Sequence, residues 1–144
     1  MFKNQRKIRL KFILALLFGL GSVNLFAQAK VELSVIKMDF INNNTCEVFI
    51  KGINVGDRQI SMAIDFKVNA KNGDFITKEA RVIELRKGKE VVTSIYVKNE
   101  KCQVVGGLAV DKIITCSVDG DYIGKTDMCH KVISVKKGIV PITN

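Results

Sequence analysis

The chain has 144 residues, 47% of them hydrophobic, and carries 23 Lys and Arg residues against 14 Asp and Glu, a formal net charge of +9. This length suits one domain with a packed core. Five of the basic residues fall within the first 29 positions, which contain no acid, so the rest of the chain has 18 basic against 14 acidic residues, or +4. It has no basic run interleaved with aromatic residues, so we expect no binding of nucleic acid.

Residues 1–29 have the three parts of a secretory signal peptide. A basic start is followed by the apolar run FILALLFGLGSVNLFA (12–27), and the segment ends in the small residues Ala27 and Ala29. The apolar run is short for the ~30 Å core of a bilayer, so we expect cleavage after Ala27 or Ala29 rather than an uncleaved anchor. The mature protein is then secreted or periplasmic. We expect no stable membrane insertion after cleavage, because no second apolar segment is long enough to span a bilayer.

From Lys30 onward apolar residues alternate with polar ones, which predicts β-strands with one face on a core and the other in water. Seven strands are predicted, at 30–40, 45–53, 59–68, 75–85, 90–97, 104–118 and 130–135. In the turns, Asn72–Gly73 and Asp119–Gly120 suit tight hairpins whose two central residues have positive φ. This spacing is typical of an antiparallel β-sandwich of the immunoglobulin or fibronectin-III type. We predict one such seven-stranded domain over residues 30–136 and a C-terminal tail at 137–144.

Four cysteines in an exported chain predict two disulfides. If consecutive strands alternate in direction, Cys46 at the start of the second strand and Cys102 before the sixth lie at the same end of the sandwich. Cys116, late in the sixth strand, lies near Cys129, before the seventh. Cys46 and Cys116 would lie at opposite ends, beyond the ~7 Å limit on the Cα separation of a bridge. The predicted bridges are therefore Cys46–Cys102 and Cys116–Cys129.

The stretch TCSVDGDYIGKTDMCH (115–130) holds two cysteines, three acids and the only histidine, so it is the main candidate for chemistry. A calcium loop starting at Asp119 would lack two ligands, because Ile123 and His130 occupy ligand positions. Zinc would need the thiolates that disulfide formation consumes. Cys129 and His130 would point to opposite faces of a strand, and acid–base groups are scarce. We therefore predict no metal, no cofactor and no enzyme activity.

The interpretation that remains is a hairpin between the sixth and seventh strands, closed at its base by the Cys116–Cys129 bridge. Tyr122 and Ile123 then lie at the tip of this hairpin. An aromatic residue on a rigid loop loses little conformational entropy when it binds, so these two residues form the predicted partner-binding site.

Three stretches are similar to bacterial cell-adhesion-related and fibronectin-III-like modules: INVGDRQISMAIDFKV (53–68), LRKGKEVVTSIYV (85–97) and VDKIITCSVDGD (110–121). The shared features are an Asn-x-Gly turn before the third strand, a Gly-containing turn before the fifth, and an apolar strand ending in Val-Asp. After the Val-Asp this chain has GKTDMC (124–129) where those modules have an acidic segment. The overall plan also resembles the small secreted interleukin-receptor-mimic proteins of pathogenic enterobacteria, which bind host cytokines and dimerise.

The resemblance implies an exported binding domain, and we favour a virulence or immunomodulatory factor that binds a host cytokine or surface protein. The alternative is a periplasmic pilus or curli accessory protein that acts by strand pairing, for which the strand at 30–40 or the tail could serve. A third interpretation is a structural element of an envelope complex. A homodimer is also expected, because a lone sandwich has edge strands open to pairing.

Overall fold

A computed structural model describes residues 29–135 and 138–139. Within these residues the chain forms nine strands and one helix, α1 (Thr126–Val132). The strands are β1 (Ala29–Asn42), β2 (Thr45–Asn54), β3 (Ile60–Ala70), β4 (Phe75–Leu85), β5 (Glu90–Lys98), β6 (Val105–Val118), β7 (Asp121–Lys125), β8 (Ile133–Val135) and β9 (Gly138–Ile139). The predicted signal peptide, apart from Ala29, and most of the predicted tail lie outside the described residues.

Alternation of apolar and polar residues sets the faces of the strands. In β3 every second residue is buried, while the residues between them stay partly exposed. The buried residues are Ile60, Met62, Ile64, Phe66 and Val68. Burial of one large apolar side chain is worth about 1.5–3 kcal/mol, so a strand shifted by one residue would lose several such contributions. The same pattern runs along the whole of β2.

The strands form two sheets whose buried residues make one hydrophobic core. The first, which we call the β2 sheet, has the order β5-β2-β1-β8. The second, the β3 sheet, has the order β4-β3-β6-β7, with β9 also paired to β6. Neighbouring strands are antiparallel except β1 and β8, which are parallel. The prediction of an all-β domain built from two sheets is therefore confirmed.

The predicted seventh strand, at 130–135, is wrong in its first half. His130 lies in α1, and the strand, β8, begins only at Ile133. Between β6 and α1 the chain also forms β7, which pairs with β6 and was not predicted as a separate strand. A helix of seven residues is unstable in isolation, and it is too short for a helical period to show in the sequence. Tertiary contacts rather than local preference therefore select this helix.

Both ends of the domain reach beyond the predicted boundaries of 30 and 136. Ala29, the last residue of the predicted signal peptide, is buried in the core and pairs with Ile133. In the predicted tail, Gly138 pairs with Val110 and Ile139 with Ala109 of β6. The described domain therefore includes Ala29 and residues 138–139.

The two predicted tight turns differ from each other. Asp119 and Gly120 have φ angles of 53° and 88°, as expected for a two-residue hairpin turn. In the other turn only Gly73 has a positive φ, of 90°. There the Asn72 side chain accepts a hydrogen bond from the Asp74 N–H at 3.0 Å. This side-chain bond stabilises a longer loop, since β3 ends at Ala70 and β4 begins only at Phe75.

The two disulfides join the pairs predicted from the strand directions. Cys46 is bonded to Cys102 and Cys116 to Cys129, with Cα separations of 4.9 and 5.8 Å. Cys46, Cys116 and Cys129 are all buried in the core. Two such bridges indicate that the chain folds in an oxidising, extracytoplasmic environment. No helix within the described part of the chain is long and apolar enough to cross a membrane.

Asn54 is the only buried polar residue in the part of the chain that the structure describes. Its Nδ2 donates to the carbonyl oxygens of Arg58 at 2.6 Å and Leu85 at 3.3 Å. Its Oδ1 accepts from the Gly56 N–H at 3.0 Å. Its own N–H donates to the Lys89 carbonyl, also at 3.0 Å. One residue thus ties the β2–β3 loop to the end of β4 and to the β4–β5 turn.

Replacement of Asn54 by Ala should lower the free energy of unfolding by about 1–3 kcal/mol, because the Gly56 N–H and the Leu85 carbonyl lose a partner inside the protein. Urea denaturation followed by circular dichroism measures the change. Asn43→Ala is the matched control, since Asn43 is exposed in the β1–β2 turn, and it should cost less than about 0.5 kcal/mol. Equal losses in the two variants would contradict this role of Asn54.

Candidate functional site

Tyr122, one of the two predicted site residues, is 68% exposed. It is the second residue of β7 and lies opposite Ser117 of β6. Ser117 points to the outer face of the β3 sheet, because its neighbours Cys116 and Val118 are buried. Tyr122 therefore stands on the outer face of this sheet, beyond the Asp119–Gly120 turn, and not at the hairpin tip where it was predicted.

Ile123, the other predicted site residue, faces the core instead. Cys116 pairs with Gly124 and Ser117 pairs with Tyr122, so Ile123 is the extra residue of a β-bulge. Gly124 has a φ of 135°, which residues with a Cβ rarely adopt, and this permits the irregularity. Ile123 is partly buried and packs against the hydrophobic core. Ile123 therefore lies on the core side of β7, and its part in partner binding stays a prediction.

The outer faces of four strands form one continuous surface that includes Tyr122. Strand register aligns residues of β4, β3, β6 and β7 in two rows across the sheet. One row is Glu84, Ser61, Ser117 and Tyr122, and the other is Val82, Ala63, Thr115 and Lys125. We call these eight residues the Tyr122 face. Of the eight, only Tyr122 belonged to the site predicted from the sequence.

The Tyr122 face is low in its middle and higher on both sides. The two central strands carry only serine, alanine and threonine there, all partly buried. The side formed by β7 has Tyr122 and Lys125, and the side formed by β4 has Val82 and Glu84, all four exposed. Val82 is 65% exposed, almost as much as Tyr122. With ~4.8 Å between neighbouring strands, β4 and β7 lie ~14 Å apart. A helix with its side chains is ~10–12 Å in diameter, so the space between the two sides can hold a helix or an extended segment of a partner.

The chemistry of this face is that of a contact surface. Its side chains offer hydroxyls, methyl groups, one aromatic ring and one charge of each sign. Tyrosine is enriched at protein interfaces because its rigid ring buries a large area while its hydroxyl still forms hydrogen bonds. Among the residues that the structure describes, no group of three or more His, Cys, Asp or Glu side chains could hold a metal ion.

Cys129 and His130, the second cysteine and the histidine of the 115–130 stretch, both lie in α1. Cys129 is bonded to Cys116 and has no exposed surface. A bridged sulfur is neither a nucleophile nor a thiolate ligand, so Cys129 has no chemical role while the bridge is intact. His130 follows it in the helix rather than in a strand, which corrects the expectation that the two side chains lie on opposite faces of a strand.

Hydrogen bonds fix the turn that precedes Tyr122. The carboxylate of Asp119 accepts from Arg58 Nε at 2.7 Å and from the Gln59 N–H at 2.9 Å. The Asp119 N–H in turn donates to the Gln59 carbonyl at 2.9 Å. The hydrogen bond from Arg58, followed by that from Gln59, holds the pKa of the Asp119 carboxyl below its usual range. The turn is thereby tied to the loop between β2 and β3.

A carboxyl whose pKa is lower in the folded state stabilises the fold above its unfolded pKa, and this contribution is lost as the pH falls through the folded value. Asp119→Asn keeps an acceptor oxygen and a residue that tolerates positive φ. It should therefore be less stable than the wild type at pH 7, and the difference should shrink as the pH falls through the lowered pKa of Asp119. Thermal unfolding measured from pH 7 to about pH 2.5 tests this expectation, with the exposed Asp57→Asn in the same region as control. A stability difference that does not change with pH would count against the ion pair.

The Cys116–Cys129 bridge should matter more for β7 and α1 than for the rest of the fold. α1 packs against β6, β7 and β8, and the bridge is its covalent link to β6. Replacing both cysteines by alanine should cost about 3 kcal/mol on the loop-entropy model. Hydrogen exchange followed by mass spectrometry should then show faster exchange in β7, α1 and β8, with β2 and β3 changing least. Uniformly faster exchange would mean that the bridge stabilises the whole domain without a local effect.

Comparison with known proteins assigns no family. No family model matches the chain, and no curated protein matches it. An X-ray structure of a Northeast Structural Genomics Consortium target has 8% identity and a TM-score of 0.38, over 79% of this chain and 85% of that one. β-Glucosidase 3B from Thermotoga neapolitana, in complex with glucose, has 13% identity and a TM-score of 0.38, over 68% of this chain and 16% of that one. A β-glucosidase from Kluyveromyces marxianus has 15% identity and a TM-score of 0.38, over 68% of this chain and 14% of that one. This chain therefore spans only a small part of either glucosidase.

Proposed function

We propose that this chain is an exported, non-enzymatic protein-binding domain and that it contacts its partner through the Tyr122 face. The observation that carries the proposal is the exposure of Tyr122 and Val82 on opposite sides of a floor of small side chains. Large residues around such a floor can enclose a segment of another protein. A small number of contacts of this kind usually supplies most of the binding energy at an interface.

The proposed fold is immunoglobulin- or fibronectin-III-like, and the order of the strands supports it. In such sandwiches the first, second and fifth strands share one sheet, and the third and sixth strands lie in the other with the strand that follows them. Here β1, β2 and β5 share the β2 sheet, while β3, β6 and β7 share the β3 sheet. β4 adds an edge strand beside β3.

Tyr122 is also more available to a partner than Tyr96 and Phe75, two other exposed rings. Tyr96 lies 6.0 Å from the guanidinium of Arg81, and Phe75 lies 5.7 Å from Lys67 Nζ, so each already has a cation over its face. Within the described residues no cation lies over the ring of Tyr122. A partner can therefore cover this ring without displacing an existing contact.

The proposed partner is a host cytokine or host surface protein. Support for this part comes from the signal peptide predicted from the sequence, from the two disulfides and from the resemblance to secreted receptor-mimic proteins. A factor released from the cell needs a fold that survives without a chaperone. Two bridges in about 110 residues provide stability of that kind.

One observation favours the alternative, a periplasmic assembly protein that acts by strand pairing. β1 pairs with β2 almost throughout its length, but with β8 only at Ala29–Val31. The same edge of β1 has no other strand partner within the described residues. A strand from a pilus or curli subunit could add there by β-augmentation.

The proposal is tested with the full-length chain exported by a bacterial host and purified in its oxidised form. Surface plasmon resonance measures its binding to a panel of host cytokines and matrix proteins. Tyr122→Ala should weaken binding to the cognate protein by about 10–100-fold, and Val82→Ala should weaken it by a smaller factor. Phe75→Ala is the matched control, since Phe75 is another exposed ring of the β3 sheet and lies outside the Tyr122 face.

The outcomes separate the parts of the proposal. Saturable binding that Tyr122→Ala leaves unchanged would keep the binding domain and reject the Tyr122 face. Equal losses in Tyr122→Ala and Phe75→Ala would point to a general effect on the fold. Absence of binding to any host protein at micromolar concentration would move the proposal to envelope assembly, with the open edge of β1 as the site.

A further inference from the structure

β5 is an edge strand whose own central residues lack the charges and prolines that usually protect an edge. It pairs with β2 on one side and with no described strand on the other. Between Glu90 and Lys98 it has seven residues with no charge, proline or glycine, and most of them are β-branched or aromatic. Edge strands normally carry charges or prolines that prevent pairing with another chain. β4, the neighbouring edge in the other sheet, carries four charged residues, whereas the exposed centre of β5 carries none.

The contact from Arg81 shows which backbone groups of β5 face the open edge. Arg81 Nε donates to the carbonyl oxygen of Ser94 at 2.7 Å, so this carbonyl points away from β2. The N–H and C=O groups of one residue lie on the same side of a strand, and alternate residues repeat that direction. Val92 and Tyr96 therefore present their backbone groups to the open edge together with Ser94. Their side chains lie on the outer face, 49% and 40% exposed.

The side chains of β5 are complementary to a second copy of the same strand. When two β5 strands run antiparallel and meet at Ser94, Glu90 lies opposite Lys98 of the second copy. In the same register Val92 lies opposite Tyr96 of the second copy. Opposite charges and aromatic–β-branched pairs are both favourable cross-strand neighbours. A register shifted by two residues loses both charge pairs, so the sequence specifies this alignment.

We infer that the open edge of β5 is a dimerisation surface, and that its occupant is β5 of a second copy of this chain, antiparallel and centred on Ser94. The dimer joins two β2 sheets into one continuous sheet. The contact is two-fold symmetric and uses both open β5 edges, so it closes as a dimer rather than growing into a filament. It is independent of the Tyr122 face, which lies on the other sheet.

Arg81 limits this pairing, because it occupies the position that the second strand needs. Its Nε bonds the Ser94 carbonyl, its Nη1 bonds the Ala80 carbonyl at 2.7 Å, and its guanidinium lies 6.0 Å from the Tyr96 ring. The second strand can bond Ser94 only after this side chain moves aside. The dimer of the wild type is therefore weak, and loss of the guanidinium should strengthen it.

Analytical ultracentrifugation of the full-length, exported and oxidised chain tests the inference, over concentrations up to about 1 mM. Arg81→Met keeps the aliphatic stem and should tighten the dimer by at least about tenfold. In the Arg81→Met background, Glu90→Lys and Lys98→Glu should each weaken it by about tenfold, because like charges then face each other twice. The double variant Glu90→Lys/Lys98→Glu should recover to within about threefold, since it restores both pairs.

Recovery in the double variant is specific to this register and would not follow from a change in fold or net charge. Thermal melts of the four variants check that each remains folded. The inference is overturned if both the wild type and Arg81→Met stay monomeric over the whole range. It is equally overturned if the single charge changes have no effect, or if the double variant is as weak as the single variants, because the dimer would then use another surface.

Discussion

The two disulfides link the two ends of β6 to other elements, and the arrangement of the other strands depends on these links. β6 pairs with β3 along one edge and with β7 and β9 along the other. Cys102, just before β6, is bonded to Cys46 in the other sheet, and Cys116, near its end, is bonded to Cys129 in α1. α1 leads directly into β8, which belongs to the other sheet as well. The two bridges remove about 4 and about 3 kcal/mol of chain entropy from the unfolded state on the loop-closure model.

Most of this frame follows from the sequence alone, because burial on one face imposes a period of two. The ends of the first six strands all lie within two residues of their predicted positions. The disulfide pairing followed from counting strand directions, which needs no atomic detail. α1 could not be predicted in this way. Its seven residues are held by the bridge and by packing against β6, β7 and β8, and these are long-range contacts that a local pattern does not contain.

The candidate site was only partly predictable, because it depends on a β-bulge and on the order of the strands. Tyr122 could be predicted from its type and its place beside a glycine turn. Ile123 was predicted with it because a regular hairpin was assumed, and the bulge at Gly124 turns Ile123 inward. Val82 lies directly before the buried Ile83, at a position of β4 that faces outward. An apolar residue there interrupts the alternation of polar and apolar residues in the sequence, which is a local sign of an exposed apolar residue. Its position across the same face from Tyr122 depends on the strand order β4-β3-β6-β7, which cannot be read from the sequence.

The two proposed surfaces have a geometric relation that bears on function. Two strands that pair antiparallel within one continuous sheet, with matching faces, are related by a two-fold axis perpendicular to that sheet. Such an axis keeps both β3 sheets on the same side of the joined β2 sheets, so two Tyr122 faces point in the same direction. A dimer of this kind presents two equivalent sites to one cell surface or to one symmetric partner. Binding at the first site then raises the effective concentration at the second, so a weak contact at each face can give high avidity.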